Sequence, residues 1–496
     1  MRYVAALLAA LGAGTVLYFA IDGGDEPMRP DGPAPRPNLV VVMTDDMPVS
    51  MFETEGMPFT TEFFADGTVF KEGIAAAPLC CPSRAGFLTG RYSHNHGVVE
   101  NTEGYATLEK ANQTFPVALQ DGGYRTGLIG KFLNGYEPVA GAEPAPGFDS
   151  WFAIYGSADY FGFQVSDQGE LREESGYSTE VFASKAIDFT KGAARDDVPF
   201  FLWLSLNAPH TVLEGSPPPC DGVNAQPPDA AAFERWANEP LPRPPSFDEP
   251  DVSDKPSLAA GPSPLSRQDL ATATQQWRCA RASLAAADLE IERFVTALAE
   301  QNQLEDTVFV FLSDNGYYNG EHRLTGDKRL PLEPALGIPM AIRLGAELRQ
   351  GSDPPASVDE LVSQVDLAPT LLDFAGAEQC KGCAAIDGRS LRPLLEGRPG
   401  WPSDRAIPFA LAEGWTYRAL RTPGELYMEL DATRSTTFDS PVPELYDLNA
   451  DPDQLEAITD PADPRVGEMA ERLELLSGCA GISGRDEPSG DAPFCE

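Results

Sequence analysis

The stretch Asn38-Leu-Val-Val-Val-Met-Thr-Asp-Asp46 decides the fold of this chain. Its apolar residues, Leu39 to Met43, follow one another without a polar face, which is the pattern of a strand covered by helices on both sides of a sheet. Such strands are typical of parallel sheets, because crossover connections place helices on both faces. The apolar run stops at a threonine and two adjacent carboxylates. The sequence therefore predicts a central parallel strand with charged residues at its carboxyl end.

Three more apolar runs end in polar clusters of the same kind. They are Arg125 to Gly130 before Lys131, Phe200 to Leu206 before Asn207-Ala-Pro-His210, and Val308 to Leu312 before Ser313-Asp314-Asn315. In open parallel sheets, ligands bind outside the carboxyl ends of the strands. We therefore expect an α/β fold with a large, mostly parallel sheet sandwiched by helices. One rim of that sheet should collect Asp45, Asp46, Lys131, His210, Asp314 and Asn315.

The segments between these strands differ in character. Residues 268–302 carry apolar side chains at helical spacing, and residues 364–376 have the pattern of a helix closed by glycine. Residues 214–266 are crowded with proline and acids and predict a long excursion over the surface. That excursion is either a mobile insertion or a lid or wall of a substrate site.

The pattern of predicted elements changes near residue 399. The patterns that follow predict short strands at 417–421 and 425–430, a turn at 444–452 and a helix at 466–476. We interpret residues 37–398 as a catalytic domain and residues 399–496 as a smaller α+β domain resting on it.

The composition limits the possible partners. The chain has 496 residues, with 76 acidic residues against 36 basic ones, and a formal net charge of -40. Nucleic acid is excluded as a partner, because phosphate binding requires a basic face. The acidity is best explained as a solvated surface that keeps the protein soluble. Any anion-binding site must therefore be a local island of positive charge.

The N-terminus has the pattern of an export signal. Residues 1–21 place one arginine before an apolar run at 3–21, and acids follow that run, which predicts export with the N-terminus left inside. The run is long for a signal peptide and just long enough to span a bilayer. A cleaved signal and a membrane anchor through residues 3–21 both stay open. Residues 22–36, rich in Gly, Pro and Asp, predict a linker. The protein is expected to be secreted or anchored on the outer face of the cell membrane.

The eight cysteines fit an oxidising compartment. When Cys80 and Cys81 are set aside, the other six fall into local pairs: Cys220 with Cys279, Cys380 with Cys383, and Cys479 with Cys495. Six cysteines allow many connectivities, so this pairing is a hypothesis. The motif Cys380-Lys-Gly-Cys383 could instead be a redox pair, although no thioredoxin-like pattern surrounds it.

A second informative stretch is Pro78-Leu-Cys-Cys-Pro-Ser-Arg-Ala-Gly-Phe-Leu-Thr-Gly90. Pro82 suits the first turn of a helix, which places Cys80 just before that helix and Arg84 near its N-terminus. Unpaired N–H groups and the helix dipole stabilise an anion there. One interpretation is an ordinary helix opened by two buried cysteines. The other is a site that holds an anion against a nucleophile.

The strand-end residues also predict a metal site. Asp45, Asp46, Asp314 and Asn315 offer oxygen ligands, which suit Ca²⁺ or Mg²⁺ rather than zinc. Two adjacent acids after an apolar strand could be a cap or a turn, but they repel each other unless a cation joins them. Asp314-Asn315-Gly316 taken alone would be interpreted as a turn.

Basic side chains near these acids are candidates for binding an oxyanion. Lys131 and Lys328 are notable in a chain that is poor in lysine, although a lysine at a strand end is usually solvated. His210 is a candidate general acid, against the commoner case of a structural histidine. The other three histidines lie in loops and have weaker claims: His94, His96 and His322.

In order and in spacing, these motifs resemble the sulfatase family of the alkaline-phosphatase-like superfamily. The Cys80 string resembles the signature of that family, and the likeness runs from about Pro37 to Pro452. Within the family the chain resembles N-acetylglucosamine-6-sulfatases. The motifs that carry this resemblance are Leu79-Cys-Cys-Pro-Ser-Arg84, His94-Asn-His96, Lys131-Phe-Leu-Asn134, Asp314-Asn-Gly-Tyr317 and Asp327-Lys-Arg329.

The resemblance implies a mechanism. Cys80 would be converted after synthesis to the aldehyde formylglycine by a formylglycine-generating enzyme. The hydrated aldehyde, a gem-diol, would attack sulfur, form a sulfo-enzyme and then release sulfate. The resemblance also implies roles for the residues named above. Asp45, Asp46, Asp314, Asn315 and residue 80 would hold Ca²⁺, with Mg²⁺ as the second choice; Arg84, Lys131 and Lys328 would steady the sulfuryl oxygens, and His210 would protonate the leaving alcohol.

One position departs from the family pattern. Many sulfatases have a histidine two residues after the lysine, where this chain has Leu133. His94, His96 or Asn134 could take over the positioning of the hydrated aldehyde.

These inferences give one leading hypothesis and two alternatives. The first is an exported, calcium-dependent hydrolase of sulfate esters, acting on a sulfated sugar such as a glycosaminoglycan or on an aryl sulfate. The second is a phosphonate or phosphate ester hydrolase of the same superfamily, because another tetrahedral anion fits such a site. The third is a catalytically inactive glycan- or calcium-binding protein on the cell surface. Paired assays on an aryl sulfate and an aryl phosphate separate the first two.

Overall fold

The computed structural model of the chain describes residues 36–52, 55–212, 218–222, 224–259, 262–349, 353–430, 442–490 and 492–495. The predicted signal or anchor at 1–21 and the predicted linker up to residue 35 lie outside these residues. Among the described helices, none combines the length and the apolar character that crossing a membrane requires.

The described strands and helices alternate through most of the chain. The strands are β1 (Asn38–Thr44), β2 (Thr68–Phe70), β3 (Gly73–Ile74), β4 (Arg125–Gly130), β5 (Ser150–Ile154), β6 (Phe163–Asp167), β7 (Glu170–Glu174), β8 (Phe200–Ser205), β9 (Thr307–Ser313), β10 (Met340–Leu344), β11 (Ser357–Val358), β12 (Val362–Ser363), β13 (Ile407–Leu411), β14 (Tyr417–Arg421), β15 (Glu425–Leu430) and β16 (Val442–Asp447). The helices are α1 (Val49–Phe52), α2 (Pro58–Ala65), α3 (Cys80–Thr89), α4 (Ser93–His96), α5 (Phe115–Asp121), α6 (Glu137–Ala140), α7 (Ser178–Asp196), α8 (Ala230–Glu234), α9 (Arg267–Glu300), α10 (Glu333–Leu336), α11 (Leu367–Ala375), α12 (Arg392–Leu395) and α13 (Pro464–Leu476).

Ten of these strands form one large sheet in the order β11-β2-β10-β9-β1-β8-β4-β5-β6-β7. The central strands from β9 to β5 are parallel to one another. The pairings of β10 with β9 and of β6 with β5 and β7 are antiparallel. The four apolar runs became β1, β4, β8 and β9, which lie side by side in the centre. The predicted mixed, mostly parallel α/β sheet is confirmed.

The apolar side chains of β1 pack into two clusters, one on each face of the sheet, because successive side chains of a strand point to opposite faces. Leu39, Val41 and Met43 pack into the cluster that contains residues of α3, α5 and α11. Val40 and Val42 pack into the cluster that contains residues of α7 and α9. Helices on both faces explain why the run has no polar side.

The two predicted helices of the large region are confirmed. The pattern at 268–302 became α9, which begins at a capping box formed by Ser266 and Asp269. The pattern at 364–376 became a short 3-10 turn, Gln364–Asp366, followed by α11. Gly376 ends α11 in the left-handed conformation, at a φ of 60°, which glycine adopts without steric cost.

The C-terminal region forms a separate antiparallel sheet, β13-β14-β15-β16, with α13 in the same apolar cluster. The strands predicted at 417–421 and 425–430 and the helix predicted at 466–476 are confirmed. The turn predicted at 444–452 is wrong in its first half. Val442–Asp447 is a strand in which Glu444 pairs with Met428 of β15, because Leu445 and Tyr446 are fully buried there. The predicted domain boundary at residue 399 stays a prediction.

Part of the excursion at 214–266 packs against the C-terminal region. Trp236 and Lys255 are buried, and the Lys255 ammonium donates to the Leu455 carbonyl at 2.8 Å. The backbone N–H and the hydroxyl of Ser257 donate to Glu444 of β16 at 2.7 and 2.8 Å. The second half of the excursion is therefore attached to the C-terminal sheet, while residues 228–231 are exposed.

All three predicted disulfides are present. Cys220 is bonded to Cys279, Cys380 to Cys383, and Cys479 to Cys495. Cys80 and Cys81 are free and buried. The cysteine of the signature is therefore available for chemistry.

A buried ion pair joins the start of the C-terminal sheet to the turn before α11. The guanidinium of Arg405 donates to both carboxylate oxygens of Asp366, at 2.6 Å each, and both residues are buried. Arg405→Ala would leave the Asp366 carboxylate buried without its counter-charge. We expect a loss of about 3–5 kcal/mol in the free energy of unfolding, measured by urea unfolding of the oxidised chain. Arg398→Ala is the control, because Arg398 is an exposed residue paired with Glu396 and should cost under about 1 kcal/mol. Equal losses in the two variants would contradict the prediction.

Candidate functional site

The carboxyl ends of the central strands lie level with one another. Thr44 at the end of β1 pairs with Ser313 of β9, Met43 pairs with Ser205 of β8, and Ser205 pairs with Gly130 of β4. Asp45, Lys131 and Asp314, which the sequence analysis predicted for this rim, directly follow β1, β4 and β9, and His210 lies in the loop after β8. The register of the sheet therefore brings Asp45, Lys131 and Asp314 to one rim.

Asp46 turns back toward the end of β9. Its φ of 66° is in the left-handed region, which is uncommon for a residue with a side chain. Its backbone N–H donates to Asp314 Oδ1 at 3.0 Å, and its own Oδ1 accepts from the Asn315 amide at 2.7 Å. The acids of the first and fourth predicted strands are therefore in direct contact, as the metal-site hypothesis requires.

Cys80 is the first residue of α3, whereas the sequence analysis placed it just before the helix. Every residue of α3 is buried, and the Cys80 Sγ atom lies 3.8 Å from Asp45 Oδ1 and 3.9 Å from Asp46 Oδ1. Burial raises the pKa of the Cys80 thiol, so an unmodified Cys80 is a protonated and weakly nucleophilic group. The helix start nevertheless aims this side chain at the acid pair.

Arg84 fastens the rim to α3. Its Nε donates to Asp314 Oδ2 at 2.8 Å, and its Nη1 donates to the Lys131 carbonyl at 3.0 Å and to Ser205 Oγ at 2.7 Å. Its Nη2 lies 3.8 Å from Asp45 Oδ2 and makes no hydrogen bond within the described residues. Most of the guanidinium is therefore committed to holding the rim, and Nη2 is the group that remains for a bound anion.

Each of the two adjacent acids has its own lysine. The Lys131 ammonium lies 2.5 Å from Asp45 Oδ2, and the Lys328 ammonium contacts the Asp46 carboxylate. Burial opposes the charged form of Asp45, but the positive charges of Lys131, His210 and Arg84 outweigh it and lower its pKa to about 2. Burial likewise opposes the charged form of Lys131, yet Asp45 raises its pKa. In the second pair, burial again opposes charge, but Lys328 lowers the pKa of Asp46 and Asp46 raises the pKa of Lys328. Both pairs are therefore ionised at neutral pH.

His210 reaches the same acids from the loop after β8. Its Nε2 lies 3.7 Å from Asp46 Oδ2, and its side chain is 23% exposed. Its Nδ1 lies 2.5 Å from the Thr211 carbonyl oxygen, which fixes the ring. Burial lowers the pKa of His210, with a partial opposing effect from Asp45 and Asp46. The ring of His210 is therefore partly accessible beside Asp46, as a proton donor to a substrate must be.

The oxygen donors of Asp45, Asp46, Asp314 and Asn315 fit a hard divalent cation, whereas the Cys80 thiol and the His210 imidazole are not ligands that such a cation prefers. One ligand atom from each of Asp45, Asp46, Cys80 and His210 lies within 4.8 Å of the others. Asn315 Oδ1 is buried without a hydrogen-bond partner among the described residues, which is unusual for a buried acceptor and is expected of a metal ligand. The carboxylates of Asp45, Asp46 and Asp314 are balanced by Arg84, Lys131 and Lys328. A divalent cation would therefore make the centre net positive and suited to an oxyanion.

The weaker histidine candidates lie in other surroundings. His94 Nε2 contacts the Cys479 carbonyl at 2.9 Å, and His322 Nδ1 contacts Glu249 at 2.7 Å. His96 is buried and accepts the Val98 N–H at 3.1 Å, and burial lowers its pKa to about 3. Asn134 donates its N–H to the Cys81 Sγ at 3.0 Å and lines a cavity together with Lys131. The suggested substitutes at the Leu133 position stay predictions.

Two positioning residues were not predicted. Ser205 is the single hydroxyl residue of β8, at the end of an otherwise apolar strand. Its position in the sequence could have marked it as a site residue. Gln364 donates to the carbonyls of Ser313 and Asp314 at 2.7 and 3.0 Å and accepts the Ser83 hydroxyl. Nothing in the sequence distinguished Gln364 from an ordinary first residue of a helix. Together these side chains join α3, β8 and β9 beneath the acids.

Comparisons with known proteins agree with this geometry. The profile of the family described as Sulfatase matches residues 37–377. The N-acetylglucosamine-6-sulfatase of Capra hircus is 30% identical, over 90% of this chain and 84% of that protein. A protein solved in complex with its substrate D-glucosamine-2-N,6-O-disulfate has a TM-score of 0.71 at 24% identity, covering 89% of this chain and 97% of that one.

A further solved structure has the same fold and a different name. The phosphonate monoester hydrolase of Agrobacterium radiobacter has a TM-score of 0.66 at 20% identity, covering 89% of this chain and 95% of that one. At that level of identity the likeness concerns the fold alone. The family match and the 30% identity over most of the chain carry the assignment: this chain belongs to the sulfatase family and is a sulfuric ester hydrolase.

Proposed function

We propose that this protein hydrolyses the sulfate ester of a sulfated sugar, of the 6-sulfated N-acetylglucosamine type, with formylglycine at position 80 and a Ca²⁺ ion. The name of the Capra hircus relative supports the sugar class. The observation that carries the proposal is the placement of Cys80. Its side chain is free, begins a helix and lies 3.8 and 3.9 Å from two carboxylates that two lysines flank.

We assign metal binding to the acids and the amide of the rim. Asp45, Asp46, Asp314 and Asn315, with the modified residue 80, would hold the cation. The hydrated aldehyde supplies a nucleophilic hydroxyl and can expel sulfate by re-forming its carbonyl, while the cation supplies positive charge for the sulfuryl oxygens. Mg²⁺ is the second choice for the cation, because it accepts the same oxygen ligands.

The basic side chains would stabilise the negative charge that develops on the sulfuryl group. Lys131 and Lys328 lie against the metal-binding acids, and Arg84 presents one N–H group that has no hydrogen-bond partner within the described residues. Such preorganised charges usually supply the largest part of the rate enhancement. The protonated form of His210, which the Asp45 and Asp46 charges favour, would donate a proton to the leaving alcohol, since its ring is partly exposed next to Asp46.

Mass spectrometry of the peptide that spans residues 72–91 tests the proposal directly. Conversion of Cys80 to formylglycine replaces the thiol with an aldehyde and changes the peptide mass. We expect the modified peptide in protein made together with a formylglycine-generating enzyme, and release of inorganic sulfate from 6-sulfated N-acetylglucosamine. Purified protein that carries the aldehyde and Ca²⁺ yet hydrolyses no sulfate ester would falsify the proposal.

The proton-donor role of His210 predicts a dependence on the leaving group. A sugar alcohol is a poor leaving group and needs protonation, whereas p-nitrophenolate leaves without it. We expect His210→Ala to lower kcat/KM for the sugar sulfate by about 10²- to 10⁴-fold, with a far smaller loss for p-nitrophenyl sulfate. His322→Gln is the control, because His322 contacts Glu249 at 2.7 Å, and it should lower neither rate. Equal losses of His210→Ala on both substrates would rule out the donor role.

A phosphonate or phosphate ester hydrolase is the second candidate, because the Agrobacterium radiobacter hydrolase has the same fold. Parallel assays on p-nitrophenyl sulfate, p-nitrophenyl phenylphosphonate and p-nitrophenyl phosphate separate the sulfatase from these two activities. We expect the higher kcat/KM on the sulfate. An inactive glycan-binding protein is the third candidate, and the complete set of acids and cations at the rim argues against it.

We also propose that the protein is exported, either secreted or held at the outer face of the membrane through residues 3–21. Three disulfides support an oxidising compartment. A formylglycine-generating enzyme would act before folding, because Cys80 is fully buried in the folded chain.

A further inference from the structure

The loop that follows β5 connects the reacting centre to a second cavity. Since β5 is the parallel neighbour of β4, residues 155–162 lie on the same rim as Lys131. Tyr155, Gly156 and Ala158 line a small cavity of about 40 Å³ together with Lys131. The next residues of the loop are fastened to the loop that carries His210.

Two hydrogen bonds make that connection. The Asn207 amide donates to the Ala158 carbonyl at 3.1 Å, and the Tyr160 hydroxyl donates to the His210 carbonyl at 2.9 Å. Phe161 directly follows Tyr160, the residue that contacts the His210 carbonyl.

The second cavity also adjoins the acids through α9. Gln276 lines a cavity with Asp46 and Thr211, and the neighbouring Gln275 amide donates to the Pro219 carbonyl at 2.6 Å.

Phe161 forms one wall of the second cavity. Its side chain is 38% exposed, and the cavity, of about 270 Å³, is otherwise lined by Gln226 and by prolines at 218, 219, 227 and 228, with Asp229 and Ala230 at one end. The Phe161 ring lies 5.4 Å from the Tyr177 ring, and the Tyr177 hydroxyl donates to the Gln226 carbonyl at 2.9 Å. The aromatic wall is therefore held in place, although single exposed apolar residues are common on surfaces.

The lining decides what the cavity can hold. Its described lining residues include no lysine, arginine or histidine, so a sulfate group would find no counter-charge there. The acid among its described lining residues, Asp229, accepts the Ala232 N–H at 2.8 Å as the cap of α8. An aromatic face, proline rings and an amide suit an uncharged ring that has both C–H and hydroxyl groups.

We infer that this cavity, defined by Phe161, Gln226 and the four prolines, binds an unsulfated sugar residue of an oligosaccharide whose sulfated residue occupies the centre at Cys80. The inference rests on the proposed function and extends it to the size of the substrate. It assigns to Phe161 the recognition of a neighbouring sugar, at a distance from the bond that is broken.

Kinetics on two substrates test the inference. One substrate is 6-sulfated N-acetylglucosamine, and the other is a trisaccharide with that residue and two uncharged neighbours. We expect the wild-type protein to have the lower KM for the trisaccharide. Phe161→Ala should raise KM for the trisaccharide about tenfold, which corresponds to about 1.4 kcal/mol, and should leave kcat/KM for the monosaccharide unchanged.

Leu171→Ala is the matched control, because Leu171 is an exposed apolar residue, 53% accessible, on β7. It should change neither substrate. The inference is overturned if Phe161→Ala leaves the trisaccharide KM unchanged or affects the two substrates equally. It also falls if the wild type does not distinguish them. In each of these outcomes the proposed function survives, because the monosaccharide is still hydrolysed. Failure of the aldehyde-bearing wild type on both substrates overturns the proposed function and the inference together.

Discussion

Cys80→Ala should abolish turnover and leave the fold intact. The methyl side chain cannot become an aldehyde, so the proposed nucleophile is lost, and we expect kcat/KM to fall by about 10⁴-fold or more. The Cys80 thiol makes only long contacts of 3.8 and 3.9 Å with two carboxylates. The free energy of unfolding should therefore change by about 1 kcal/mol or less. Sulfate release and urea unfolding measure the two effects separately.

Cys81→Ser is the matched control for that variant. Cys81 is also free and buried, but its Sγ accepts the Asn134 N–H at 3.0 Å, a bond that a serine oxygen can replace. We expect this variant to carry the aldehyde at residue 80 and to keep most of its activity. If Cys80→Ala retained appreciable sulfatase activity while Cys81→Ser lost it, the assignment of the nucleophile would be wrong.

Asp45→Asn should lose the cation and the activity together. Asp45 is fully buried and close to Lys131, Arg84 and Cys80, so neutralising it removes a proposed ligand and leaves excess positive charge. Loss of several kcal/mol of transition-state stabilisation corresponds to about 10³-fold in kcat/KM. Metal analysis of the purified protein should show less Ca²⁺ than in the wild type, alongside the lower rate.

A chelator experiment keeps this prediction testable even if Asp45→Asn folds poorly. Removal of the cation from the wild-type protein should lower the activity to a similar extent, and added Ca²⁺ should restore it. Asp353→Asn serves as the control, because the Asp353 side chain is 89% exposed, and it should keep both metal and activity. Full activity of the metal-free wild type would exclude a catalytic cation.

The sequence was sufficient to predict the sheet and the rim, for a local reason. Apolar runs without a polar face specify strands buried on both sides, and the rule that sites lie at carboxyl ends needs no distances. Asp45, Lys131 and Asp314 follow such runs directly, and the structure places them together. The three disulfides were found by proximity along the chain, which works when the paired cysteines belong to neighbouring segments.

Contacts between distant segments were outside the reach of these patterns. Gln364 resembles any polar residue at the start of a helix, yet it binds the carbonyls of Ser313 and Asp314. The residues at 444–447 carry turn-like acids, but pairing with β15 makes them a strand. Burial of Leu445 and Tyr446 outweighs the local preference there, because tertiary contacts determine strand formation more than sequence propensity does.

The amino-acid sequence alone selected the candidate site residues, since Asp45, Lys131 and Asp314 follow apolar runs and Cys80 lies in the signature string. Only the tertiary structure decided which of these charged side chains pair with one another. It committed most of Arg84 to Asp314, Lys131 and Ser205, gave each of two acids its own lysine, and left Asn315 Oδ1 without a partner among the described residues. The reason is that such sharing depends on the register of β1, β4, β8 and β9, and register is set by packing across the whole sheet.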